Sequence, residues 1–120
     1  LSERIGTGLG QPIVVENRPG AGGMVGSDIV AKARGDAHVV MMSNAASHGI
    51  GPVLYRSVPY DPLGDFIHVA LVGNFPSVLC VGEAVPARSL AEFVALARAR
   101  DGLNYGSGGN GTMNHLTGAL

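Results

Sequence analysis

One cysteine and one lysine stand in 120 residues. The lone thiol, Cys80, excludes an internal disulfide, and its place in "SVLCV" predicts a buried small hydrophobe. With Lys32 the only lysine and a net charge of −1, no basic block exists to track a phosphate backbone, so nucleic acid is a poor candidate partner. No apolar run approaches the ~20 residues of a membrane span. Charged residues are scarce, at 14% against 46% hydrophobic, which favours a packed core over disorder. Initiator Met and signal peptide are lacking too. The opening "LSERIGTGLGQP" reads as the last turns of a helix running into a Gly-rich stop and a proline, and the closing "GTMNHLTGAL" as a helix just begun. The expectation is an internal piece of a longer protein, for which a missing targeting signal says nothing about location.

What is present alternates between short apolar runs and helical patterns. "PIVVEN" reads as a β-branched strand ended by Asn17 and Pro19, and "RPGAGG" as a turn. From Met24 to Arg34, apolar residues at Val25, Ile29, Val30 and Ala33 define one helical face. "HVVMMS" is apolar without alternation, as in a strand covered on both faces. "NAASHGIGP" reads as a loop, and "VLYRSVPYDPLGDF" as irregular with a short helical turn. "IHVALVG" and "PSVLCVG" are two more strand-like runs. "PARSLAEFVALARARDG" is the clearest helix. Ser89 and Glu92 form a capping box there, and Leu90, Phe93, Val94 and Ala97 one apolar stripe. "LNY" is a last short strand. This order predicts an α/β fold with a largely parallel sheet flanked by helices. Ligands bind such sheets outside the carboxyl ends of the strands, which selects two small polar loops, residues 44–51 and 106–112.

The second loop admits several readings. Gly106, Gly108 and Gly111 spell the dinucleotide fingerprint between a strand and a helix, and a dinucleotide-binding oxidoreductase domain is the rival class. A P-loop is rejected, because Thr112 stands where that motif needs lysine. A plain tight turn is a third reading. The fourth is an anion site, in which helix-start amides and the helix dipole favour a carboxylate without lysine or arginine. His48 and His115 suggest metal ligation or acid–base chemistry, but two histidines without a carboxylate cluster read better as hydrogen-bonding or packing residues, and no metal is expected. His38 and His68 are expected at the surface. A Ser47–His48 nucleophile pair lacks a G-x-S-x-G elbow, and sequence neighbours need not face each other.

The blocks "VVENRPGAGG", "YDPLGDF" and "NYGSGGNGTMNHL", in this order across essentially the whole chain, resemble the Bug-type solute receptors. These are extracytoplasmic binding proteins of tripartite tricarboxylate transporters. The resemblance implies a periplasmic, non-enzymatic receptor with a two-lobed fold that closes on a small carboxylate: a di- or tricarboxylic acid, an acidic amino acid or an aromatic acid. It implies membrane components of the transporter as partners, no cofactor, and a monomer when complete. Residues 1–120 then correspond to a partial first lobe, with the first strand and the second lobe missing. Two ligand loops carry over by position. One comprises Ser43, Asn44, Ala45, Ala46, Ser47 and His48. The other comprises Ser107, Gly108, Gly109, Asn110, Gly111 and Thr112, with hydroxyl donors expected from Ser47 and Thr112. The chain departs from the family pattern at Gly51-Pro52, where Asn-Pro is usual, and at residues 35–38, where Pro-Asp-Gly-Tyr is usual. It also carries Gly106 and Gly108 where alanine is common.

Overall fold

The computed structural model describes residues 1–100 and 102–120, which form two compact units, Leu1–Ile67 and His68–Leu120. In the first, helix α1 (Ser2–Leu9) ends at Gly10 in the left-handed conformation. The Gln11 amide then bonds to the Gly6 carbonyl at 3.1 Å, closing the helix where the Gly-rich stop predicts. A 3₁₀ turn over Ala21–Gly23 leads into α2 (Met24–Lys32).

The face that α2 buries is not the one its apolar pattern selects. Met24, Ser27 and Ala31 are buried, whereas Val25 and Ile29 stay 45% and 44% exposed. The reason is the neighbour. Residues 45–51, within a stretch expected as a loop, are helical: a π turn over Ala46–Ile50 runs into α3 (Gly51–Leu54). Small residues line the contact between this segment and the start of α2. A Cβ on Gly22 would sit 3.6 Å from the Ala46 Cβ, and one on Gly23 3.6 Å from the Ser47 Cβ. Met24 packs with Ala31 and Tyr60 in the buried cluster, with Tyr55, Val58 and Phe66 packed against it. Pro52 lies in the first turn of α3, where its missing amide is tolerated.

In the second unit, α4 (Leu90–Ala99) begins as its capping box predicts, with Ser89 Oγ accepting from the Glu92 amide at 3.3 Å. The return bond lands one residue earlier than expected, from the Arg88 amide to Glu92 Oε2 at 2.6 Å. No residue of α4 is buried, and Leu90 in its apolar stripe is 69% exposed. Asp101, at the end of the expected helix, lies outside the described residues. Helix α5 (Met113–Ala119) follows the glycine loop. Tyr105 packs over it, so closely that a Cβ on Gly118 would meet the ring at 2.5 Å.

The α/β expectation is met in its helices but not in its sheet. Among the described residues no strand forms. The five apolar runs are present without a ladder, and Val14, Val40, Ile67, Val69 and Val78 are exposed. Strands persist only when backbone groups pair, and parallel strands only when helices also cover both faces. Neither condition is met for these runs. Cys80 shows the same effect: expected to be buried, it is exposed, because its run has no covering layer. His38 and His68 are exposed, as expected.

Gly51 tests the α2–α3 contact. A Cβ there would lie 2.8 Å from the Ala46 carbonyl oxygen and 3.1 Å from Met24 Sδ. Alanine gains about 1 kcal/mol of helix propensity but overpacks a site bounded by backbone, at about 1–3 kcal/mol. Gly51→Ala is therefore expected to lower the thermal unfolding midpoint; a higher midpoint would show that the contact is loose.

Candidate functional site

Each candidate segment is a helix start held by its own side chains. In the first unit, Asn44 Oδ1 accepts from the amides of Ala46 (2.9 Å) and Ser47 (3.2 Å). The Asn44 carbonyl accepts from the His48 amide at 3.1 Å. Asparagine is suited to this because its short side chain reaches amides two and three residues on. Ser43, Asn44 and Ala45 are exposed, His48 is half-buried, and Ala46 and Ser47 are buried.

Ser47 and His48 do face each other, contrary to expectation: Ser47 Oγ lies 3.0 Å from His48 Nδ1. This does not make a nucleophile. Ser47 is only 1% exposed, and its Oγ is also 3.3 Å from the Asn44 carbonyl, so a substrate has no path to it. The hydroxyl is engaged inside the segment rather than offered as a donor. His48 stacks edge-on to Phe66 (ring centroids 4.7 Å, 61°) and tilts over Tyr60 (5.9 Å, 33°), which makes it a packing and hydrogen-bonding residue.

In the second unit, Thr112 is the N-cap of α5. Its Oγ1 accepts from the His115 amide (3.3 Å) and donates to the Gly109 carbonyl (2.8 Å), so this hydroxyl is engaged as well. Ser107 Oγ accepts from the Gly109 amide at 3.4 Å and lies 3.4 Å from His115 Nδ1. Gly109 and Gly111 have φ of 110° and 78°, a backbone that side chains with a Cβ rarely adopt. Gly111 is buried, while Ser107, Gly108, Gly109 and Asn110 are exposed. Tyr105 OH donates to the His115 carbonyl at 3.2 Å, tying the run before the loop to the helix after it.

Two groups of residues around the first segment were not in the sequence-derived site, although both lie in motifs that carry the resemblance. The turn of "RPGAGG" packs on it: the Cβ position of Gly23 is within 4.0 Å of both Ser47 Oγ and Asn44 Nδ2. Ala21 in that turn holds a φ of 46°, a left-handed backbone that is uncommon outside glycine. From "YDPLGDF", Tyr60 OH donates to the Ser47 carbonyl at 2.6 Å. Asp61 then folds the next residues into a turn: its Oδ1 accepts from the Leu63 amide at 3.0 Å, and Asp65 Oδ2 accepts from the Asp61 amide at 2.8 Å. The same Asp65 carboxylate pairs with Arg34, just beyond α2. The backbone bonds from Leu63, then Gly64, hold the Asp61 carboxyl below its ordinary value of 3.8.

An open cleft of about 520 Å³ lies along α1, lined by residues that include Gly6, Gln11 and Ile13. None of the candidate residues lines it, so it has no place in the site. Among the described residues, no group of three or more His, Cys, Asp or Glu side chains is placed to hold a metal, and no helix is long and apolar enough to cross a membrane.

Comparison with known proteins shows the family. Residues 1–119 match the model of the tripartite tricarboxylate transporter family receptors, and the chain belongs to that family. It is 38% identical to a UPF0065 protein from the tcbD–tcbE intergenic region of Pseudomonas sp. strain P51, over 100% of this chain and 36% of that protein. Protein BugT of Bordetella pertussis is 35% identical over 97% of this chain and 36% of its own length. A UPF0065 protein from the gbd 5′ region of Cupriavidus necator is 30% identical over 91% and 33%. The chain thus spans about a third of the length of these curated relatives. No solved structure matches it.

The Asp61 turn carries a pH dependence of definite sign. Its folded pKa is depressed, so its contribution is fully present above the ordinary carboxylate value and is lost as pH falls through the lowered one. Stability is expected to fall from pH about 4 downward, and Asp61→Asn, which keeps the acceptor oxygen but cannot titrate, is expected to flatten that fall. Identical acid profiles in thermal unfolding would remove Asp61 from this role.

Proposed function

We propose that residues 1–120 form part of the first lobe of an extracytoplasmic solute receptor, one that delivers a small carboxylate to the membrane components of a tripartite tricarboxylate-type transporter. The observation that carries this reading is the family match along residues 1–119. The local chemistry agrees with it. Residues 43–48 and 107–112 both precede or enter helices, both consist mostly of small residues with hydroxyl or amide side chains among them, and both contain no lysine or arginine. An anion at such a place is held by amides and the positive end of the helix dipole, and bonds from amides to a carboxylate are charge-assisted. In this reading the oxygens of Asn44 and Thr112 occupy the helix-start amides until a carboxylate competes for them.

The apolar runs fit the same reading. In a complete lobe they are the strands of a parallel sheet, paired and covered by chain outside these residues, which leaves the stripes of α2 and α4 facing the sheet. Ligand binding acts by population shift: an acid that touches both lobes only in the closed form favours closure, and the closed form is what the membrane partner reads. The complete receptor is a periplasmic monomer, and its work is binding rather than catalysis. The rival dinucleotide reading rests on Gly106, Gly108 and Gly111 alone, whereas the receptor reading has the family match along residues 1–119.

The test is a thermal-shift panel of small carboxylates on the complete receptor, with NAD and NADP alongside. A ligand that binds only the native state raises its stability with concentration. Stabilisation by one or a few acids and by neither nucleotide is expected; stabilisation by a dinucleotide alone would overturn the reading. Gly111→Val is expected to abolish acid binding, since a β-branched residue cannot hold a φ of 78° without strain and blocks close approach. Thr112→Ala, which removes a cap worth about 1 kcal/mol, is expected to weaken binding less. Unaltered acid binding by Gly111→Val would eliminate the amide cradle.

A further inference from the structure

We propose that Tyr60 is a positioning residue for the ligand segment 43–48, acting through a backbone carbonyl that Pro52 leaves without a helical partner. The receptor reading underlies this assignment. In the π turn the Gly51 amide bonds to the Ala46 carbonyl, five residues back. By the same spacing the Ser47 carbonyl would take the amide of residue 52, which is proline and has none. The amide four residues on, that of Gly51, is already used. A buried carbonyl without a donor is costly, and Tyr60 OH supplies the donor at 2.6 Å from outside the helix.

The hydroxyl is held firmly. Tyr60 is 6% exposed, belongs to the buried cluster with Met24 and Ala31, and meets Phe66 edge-on at 5.5 Å and 89°. Its backbone runs straight into the Asp61 turn, which Asp65 and Arg34 brace. One bond therefore fixes the height of Ser47, and with it the Asn44-capped amides of Ala46 and Ser47. The motif "YDPLGDF" contributes to binding without any of its residues needing to touch ligand.

Tyr60→Phe removes only the hydroxyl and keeps the ring packing. In the complete receptor it is expected to weaken binding of the best acid from the panel about 3- to 10-fold, the worth of one hydrogen bond, measured by calorimetry on folded protein. A purely structural role would lower the unfolding midpoint and leave that affinity unchanged, and unchanged affinity overturns the proposal. Pro52→Ala supplies an amide for the orphaned carbonyl, so the double variant is expected to recover affinity toward that of the unaltered protein. Strictly additive losses would overturn the shared-carbonyl argument. If the unaltered receptor binds no acid, the receptor reading itself fails. The positioning role is then decided by amide hydrogen exchange at Ala46, Ser47 and His48: faster exchange in Tyr60→Phe supports it, and equal exchange overturns it.

Discussion

The first unit depends on the close seating of the start of α2 against the helical segment at residues 45–54. Met24 reaches the position of Gly51, Gly23 lies against Ser47, and Gly22 against Ala46. Packing this close is possible only because the residues in contact are small, and it decides which face of α2 is buried. It also fixes the backbone of residues 44–48, since the segment cannot rise without opening the contact. Tyr60 closes the other side of the same segment through the Ser47 carbonyl. The candidate site is thus held from two directions by motifs that lie before and after it in the chain.

Helix-start amides at both candidate segments are capped from within. Asn44 occupies two amides of its own helix start, and Thr112 accepts from one amide while donating to the Gly109 carbonyl. Such self-capping removes the cost of leaving helix-start amides unpaired and keeps the segments ordered. In the proposed reading it also sets what a competing ligand must offer: an oxygen that accepts better than a neutral amide or hydroxyl, which a carboxylate does. Charge of opposite sign is not needed for this, in keeping with two segments that contain no lysine or arginine.

Helices proved more legible than their faces. α4 begins at Ser89 because a serine followed three residues later by glutamate is a local signal, written in adjacent residues. α5 begins at Thr112 for the same kind of reason. Val25 and Ile29 mark an apolar stripe on α2, whereas the neighbour seated beside the helix in this unit covers Met24, Ser27 and Ala31. Gly49, Gly51 and Pro52 are helix breakers in isolation, so residues 44–51 read as a loop; here Gly51 permits contact and Pro52 falls in a first turn. Nothing in the spacing of Tyr60 or of the "RPGAGG" turn shows that they fold onto residue 47.

The sequence by itself determined the family, the helix starts at Ser89 and Thr112, the left-handed stop after α1, and the polar, lysine-poor character of both candidate segments. Each of these rests on residues near one another in the chain or on blocks in a fixed order. Only the tertiary structure decided which face of α2 is buried, that residues 45–54 are helical, that Ser47 meets His48, and that Tyr60 supplies the donor Pro52 withholds. The first and the last of these depend on contacts between distant parts of the chain, whose energies no local pattern encodes. The exposed apolar runs make the same point from the other side. Their composition is that of strands, but a strand exists only when a neighbour completes its hydrogen bonds.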